Sequence, residues 1–203
     1  MLLLDDYGIP MSRPKGIRAD YAISSAEKLR RKLGLGVYMY IDIEKLIKSE
    51  NIRLKFCFDI ENSVTVRANG KYIMFIRPFI DYTVDRWTMT HEYAHIKLGH
   101  FDEFPLDVIY NGVHISLLTN RENYFLEREA HIFTERFLVP KDHVTRLIEY
   151  PITLKSVNTI KSRFGVSKEA MINALDSYGL IRKADFMRTW VCNTFPRNLQ
   201  TKS

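Results

Sequence analysis

Cysteine is nearly absent from this chain of 203 residues, with Cys57 and Cys192 the only two. Two thiols are too few for a disulfide framework, so each reads as a reduced structural thiol rather than half of a redox pair. Long apolar runs are missing as well. Leu2, Leu3 and Leu4 give way to Asp5 and Asp6, far short of a signal-peptide core, and no later stretch approaches the roughly 20 residues of a membrane helix. The expectation is a cytoplasmic protein with no membrane partner. Excess charge is also absent from most of the chain: residues 1–152 carry 21 basic and 21 acidic residues. The formal net charge of +6 therefore sits in residues 153–203, which hold nine Lys or Arg against three Asp or Glu. At 46% hydrophobic and 27% charged, the composition is that of a globular chain with room for a real core.

What is present centres on Trp87–His100, which contains His91-Glu92-Tyr93-Ala94-His95. Histidines four residues apart project from one side of an α-helix, offset by about 40° of rotation, so two neutral nitrogens can reach one ion. Glu92 stands to one side of that pair, where a carboxylate can take a proton from water at the ion without being a ligand. This is the H-E-x-x-H arrangement of zinc peptidases. On a helical wheel Arg86, Thr90, Tyr93 and Lys97 form a narrow polar stripe, while both histidines turn inward beside Trp87, Ala94 and Leu98. Two buried imidazoles need partners or a metal, since an unsatisfied buried polar group costs roughly 1–3 kcal/mol. Gly99 closes the helix, and His100 beyond it reads as a surface or capping histidine rather than a ligand.

A catalytic zinc takes three protein ligands and keeps a fourth position for water. The all-histidine version needs Gly and His three and six residues after His95, where Leu98 and Phe101 stand, so the third ligand must be a downstream carboxylate. The stretch Asn120–Val139 supplies a helix with Leu126, Ala130, Phe133 and Phe137 on its apolar face. Of its acids, Glu135 points away from that face, whereas Glu127 and Glu129 flank it at similar angles. Helical phase leaves both open.

Together, Arg86–His100 and the run Glu127-Arg-Glu-Ala-His-Ile-Phe-Thr-Glu-Arg-Phe-Leu-Val-Pro140 resemble the ImmA/IrrE family of metallo-endopeptidases. The likeness spans roughly residues 35 to 140. Members carry Glu-x-x-Ala-Asn-x-Phe-Ala and a Leu-Met-Pro ending, and their leading Glu is the third ligand. The resemblance implies that role for Glu127. His131 replaces the usual Asn, Thr134 the usual Ala and Val139 the usual Met, and His131, one turn beyond Glu127, becomes a candidate extra ligand or transition-state donor. The resemblance further implies a helix-turn-helix repressor as substrate, cleaved to release genes of a prophage, mobile element or stress response. Zn²⁺ is the expected cofactor, with Mn²⁺ or Fe²⁺ acceptable to the same ligands.

The expected fold is α+β: a mainly helical, zincin-like metallopeptidase domain over residues 19–150 with a small antiparallel sheet. An extended lead-in, 1–18, precedes it, and a basic, helix-turn-helix-like region with a tail, 151–203, follows. Ala19–Leu33 reads as a helix whose basic cluster, Lys28, Arg30, Arg31 and Lys32, is either an anion site or, the commoner case, a solvated end favoured by the dipole. Asp42 caps a second helix to Ser49. Ile52, Leu54, Phe56 and Phe58 alternate with polar residues as one buried strand face. Asn69-Gly70 between Val64–Arg67 and Lys71–Arg77 marks a hairpin; either an extended substrate adds a strand there, which protection across residues 71–77 would show, or the hairpin is only a wall of the core.

The segment between His100 and Asn120 has no clean period. It carries Tyr110 and His114, which with Tyr124 and His131 are the candidate donors to a developing oxyanion. Pro140 opens a short helix to about Tyr150; Thr153 caps a helix to Phe164, and after Gly165 Ser167 caps another to Gly179. The basic excess on that pair suits an acidic partner or DNA phosphate, with partner docking or plain structure favoured over DNA. The competing function is a catalytically silent, metal-stabilised regulator or DNA-binding protein acting through those C-terminal helices.

Overall fold

The computed structural model describes residues 13–36, 40–104, 108–110, 113–115 and 118–187, with the side chains of 108–110 and 113–115 left outside it. Helix α1, Ala19–Lys32, buries Ala22 and Ala26 completely, and these small residues one turn apart let it lie close against α5, Asn120–Leu138. A Thr119–Glu122 capping box starts α5. Its Leu126, Ala130, Phe133 and Phe137 are buried as the period requires, and the last two rings stack at 5.7 Å between centroids. Helix α2, Ile43–Ser49, is capped by Asp42. Helix α3, Tyr82–Lys97, carries the His-Glu-x-x-His run, and Asp81 caps it by accepting from the Thr83 amide at 2.8 Å.

Helix α3 is buried on the side the sequence gives to solvent. Arg86, Thr90 and Tyr93, expected as a polar stripe, are 1%, 0% and 0% exposed. The reason lies in what packs over them. Arg86 donates from Nη1 to the carbonyls of Phe164 and Gly165 and from Nη2 to that of Ile41, Thr90 Oγ1 bonds the Arg86 carbonyl, and the Tyr93 hydroxyl donates to Glu50. A buried guanidinium thus satisfies carbonyls that the end of one helix and a loop would otherwise leave bare. Arg30 is the same device. It is 5% exposed and bonds the carbonyls of Phe137 and Leu35, so it does not belong to a solvated helix end.

The sheet has three strands, β1 Arg53–Phe56, β2 Val64–Ala68 and β3 Lys71–Ile76, in the order β1-β3-β2. Asn69 and Gly70 both take positive φ, 51° and 71°, the type I′ geometry that fixes the antiparallel β2–β3 register, Val66 opposite Ile73. Strand β1 lies parallel to β3, so the sheet is mixed rather than purely antiparallel: the tight turn commits one edge of β3 to β2 and leaves only the other for β1. Two expectations fall with this order. Strand β3 is flanked on both sides, so residues 71–77 cannot accept a further strand, and β2, beside α3 and with β4 packed near it, is an edge of this sheet among the described residues. Phe56 and Phe58 are 45% and 79% exposed, since β1 is the other edge; Ile52, just before it, is buried, and Leu54 packs half-buried against the core.

The region without a clean period holds a short helix α4, His100–Glu103, and a two-stranded hairpin, β4 Val108–Tyr110 and β5 Val113–Ile115. Helices α6 Lys141–Leu147, α7 Leu154–Phe164 and α8 Lys168–Ser177 complete the order, with Thr153 and Ser167 as caps and Gly165 in the left-handed region. Val157, Ile160, Phe164, Met171 and Leu175 belong to the same buried cluster as Met89, Tyr93 and Phe133. Among the described residues no helix is long and apolar enough to cross a membrane.

Candidate metal centre

His91 and His95 sit a turn apart on α3 with Glu127 of α5 facing them, because α3 and α5 pack along their lengths. His91 Nε2 is 2.9 Å from Glu127 Oε2, His95 Nε2 is 3.4 Å from Glu127 Oε1, and the two Nε2 atoms are 3.4 Å apart. One ligand atom from each lies within 4.8 Å of the others, and these three form the His/Cys/Asp/Glu group among the described residues that could hold an ion. The spacing fits a metal. In a tetrahedral zinc site with bonds of about 2.0–2.2 Å, ligand atoms stand about 3.3–3.6 Å apart, so only the His91–Glu127 pair must open, by roughly half an ångström.

Electrostatics points the same way. Burial works against a charged His91, but the hydrogen bond and charge of Glu127, with Glu92 nearby, raise its pKa above the ordinary value. Burial and then the charge of His91 push His95 down to about 3, so it stays a neutral imidazole. Burial alone would raise Glu127, but the hydrogen bond with His91 and the surrounding imidazoles hold it at about 2. The set is therefore one neutral imidazole, one ionised carboxylate and one imidazole carrying a proton that an ion would displace.

Glu92 stands beside this group and outside it. Burial raises its pKa, and its carboxylate accepts from Thr65 Oγ1 at 2.9 Å across from β2. Thr65, 5% exposed, is one residue the sequence reading missed, since nothing in the order of residues says which strand will cross α3. Of the candidate donors, His131 lies at the edge of the site with its ring 5.2 Å from that of Trp87, and burial lowers its pKa. Tyr124 is 55% exposed, with its ring 6.3 Å from that of Phe125. The side chains of Tyr110 and His114 lie outside the described residues; their strands pair Ile109 with His114 and Tyr110 with Val113.

His100 is not at the surface. It is fully buried, its Nδ1 lies 3.0 Å from His95 Nδ1 and its Nε2 lies 3.2 Å from Glu129 Oε2. Gly99, in the left-handed region at φ 72°, ends α3 with a turn that folds His100 back under His95. Glu129, the acid that helical phase could not separate from Glu127, is likewise fully buried and points to His100 and Arg18 rather than to the candidate ligands. Burial would raise Glu129, but bonds from His100 and Arg18 hold it at about 2.

Residues 47–176 match the family model described as the IrrE N-terminal-like domain, a peptidase family. No curated protein sequence matches the chain. Among solved structures, a Mycobacterium tuberculosis transcriptional regulator is similar over 79% of this chain at 12% identity and a TM-score of 0.47. The chain spans 48% of that protein, about half its length.

Proposed function

The chain belongs to the IrrE N-terminal-like peptidase family, and from that premise we propose that it is a metallo-endopeptidase in which His91, His95 and Glu127 hold one divalent ion and Glu92 is the general base. The observation that carries this reading is the convergence of the three ligand atoms at spacings close to those of a tetrahedral ion, with a half-buried carboxylate beside them that is not part of the set. Zn²⁺ is the ion these donors suit best, with Mn²⁺ or Fe²⁺ accepted by the same set. When bound, the ion supplies Lewis acidity to the scissile carbonyl and makes water a competent nucleophile near neutral pH.

Glu92 takes the proton of the attacking water and hands it to the leaving amide nitrogen. Its raised pKa suits both transfers. Thr65 holds one carboxylate oxygen, Oε2, fixing the direction in which the other faces. The outer strand β2 runs past Glu92, with β4 near it, so an extended substrate would add along β2 as a further strand, presenting its backbone to the base. His131 at the rim is the described residue best placed among the expected donors to steady the oxyanion.

The substrate we propose is a helix-turn-helix transcriptional repressor, in keeping with the ImmA/IrrE likeness of both motifs; DNA contact through the basic C-terminal helices is the less favoured reading. The test is Glu92→Gln with a cognate repressor. The variant should keep its metal and lose cleavage; a Glu92→Gln protein that still cuts removes Glu92 from the mechanism.

A further inference from the structure

Behind the candidate metal site runs a chain of polar groups, buried at His100 and Glu129, that the proposed chemistry does not use. His95 turns Nε2 toward His91 and Glu127 and turns Nδ1 the other way, to His100 Nδ1 at 3.0 Å. His100 Nε2 reaches Glu129 Oε2 at 3.2 Å. Glu129 in turn accepts from Arg18: from the backbone N–H at 2.8 Å, from Nε at 3.0 and 3.1 Å, and from Nη2 at 2.9 Å. Arg18 Nη1 closes the far end on Glu103 Oε2 at 2.5 Å. His100 and Glu129 are both 0% exposed, so no bulk solvent completes their hydrogen bonding.

The direction of each bond follows from its partners. A carboxylate receiving three N–H groups from one arginine is an acceptor, so the hydrogen between it and His100 sits on His100 Nε2. With that hydrogen on Nε2, His100 presents its other ring nitrogen, Nδ1, to His95. Only one hydrogen fits between two Nδ1 atoms, so His95 must carry it, and His95 Nε2 is left with its lone pair free. The tautomer of His95 is thereby set two residues away, by a carboxylate anchored to the segment that leads into α1.

We propose that His100, Glu129 and Arg18 are positioning residues that lock His95 as its Nδ1–H tautomer and aim its bare Nε2 at the ion. This rests on the metal-site reading above and extends it to three residues outside the ligand set. Outer partners of ligating histidines commonly tune metal affinity by about 10- to 100-fold.

The test uses the full chain, first without metal. Long-range proton–nitrogen correlation spectra of protein labelled with ¹⁵N-histidine distinguish the two tautomers. The wild type should show His95 protonated on Nδ1 and His100 on Nε2; a His95 protonated on Nε2 overturns the proposal and needs no variant. His100→Phe, which keeps a ring beside Phe104, should release the His95 tautomer and weaken Zn²⁺ binding in chelator competition by about 10- to 100-fold. An affinity within about twofold of wild type would refute the relay, judged against the scale expected of outer partners. A wild type that takes up no zinc sinks the metal reading alone, because the metal-free spectra judge the relay independently.

Discussion

The ionisation pattern of the candidate ligands fixes how many protons an ion must displace. Across pH 5 to 6, His95, held down to about 3, is already neutral, and Glu127, held at about 2, is already ionised. His91, raised above 6.5 by its hydrogen bond with Glu127, is charged and must lose one proton before Nε2 can coordinate. Zinc uptake in this window should therefore release one proton per ion, and affinity should rise about tenfold, or about 1.4 kcal/mol, per pH unit. The window lies below the pKa of about 7 of a zinc-coordinated water, which would otherwise add a second proton. Titration calorimetry in buffers of different ionisation enthalpy counts the protons directly. The same pairing has a sign in stability: with a raised pKa in the folded state, His91 stabilises the metal-free protein below 6.5, and this is lost as pH rises through its folded value. Release of two protons would mean that His95 is also charged, and release of none that His91 is already neutral or is not a ligand. Either result refutes the reasoning.

Further outcomes follow from single contacts. Thr65→Val keeps the volume of a residue 5% exposed but removes the Oγ1 hydrogen bond to the Glu92 carboxylate, so kcat on a cleaved substrate should fall about tenfold with metal content unchanged, and Thr65→Ser should restore it. An unaltered kcat in Thr65→Val would show that Glu92 is held by something else. Arg86→Leu strands the carbonyls of Ile41, Phe164 and Gly165, each costing about 1–3 kcal/mol if left dry, so urea denaturation should show at least about 3 kcal/mol lost. Substrate should protect amides of β2, residues 64–68, from hydrogen exchange; protection confined to β1 would place docking on the opposite edge.

Patterns confined to one element were legible in the sequence. The caps at Asp42, Thr153 and Ser167, the Asn69-Gly70 turn and the apolar face of α5 all depend on residues within a few positions of one another, and each formed as read. What could not be read is what packs against an element from afar. The Arg86, Thr90 and Tyr93 stripe looks solvated on a wheel because a wheel cannot show that carbonyls some 78 residues away need donors. Phe56 looks buried because alternation does not reveal that its strand is an edge. At the site, the spacing of His91 and His95 announced itself, whereas Glu127 and Glu129 were equivalent by phase. Their separation follows from tertiary structure: Gly99 turns His100 back into the core and gives Glu129 a partner, which leaves Glu127 to face the histidine pair. The five-residue step from His95 to His100 across a glycine was the one available hint.

The most direct measurement is anomalous diffraction at the zinc edge from crystals of the zinc-loaded protein. A single peak should lie about 2.0–2.2 Å from His91 Nε2, His95 Nε2 and a Glu127 carboxylate oxygen, with Glu92 outside the coordination sphere. A peak elsewhere in the molecule, or at the two histidines with Glu127 turned away, would contradict it.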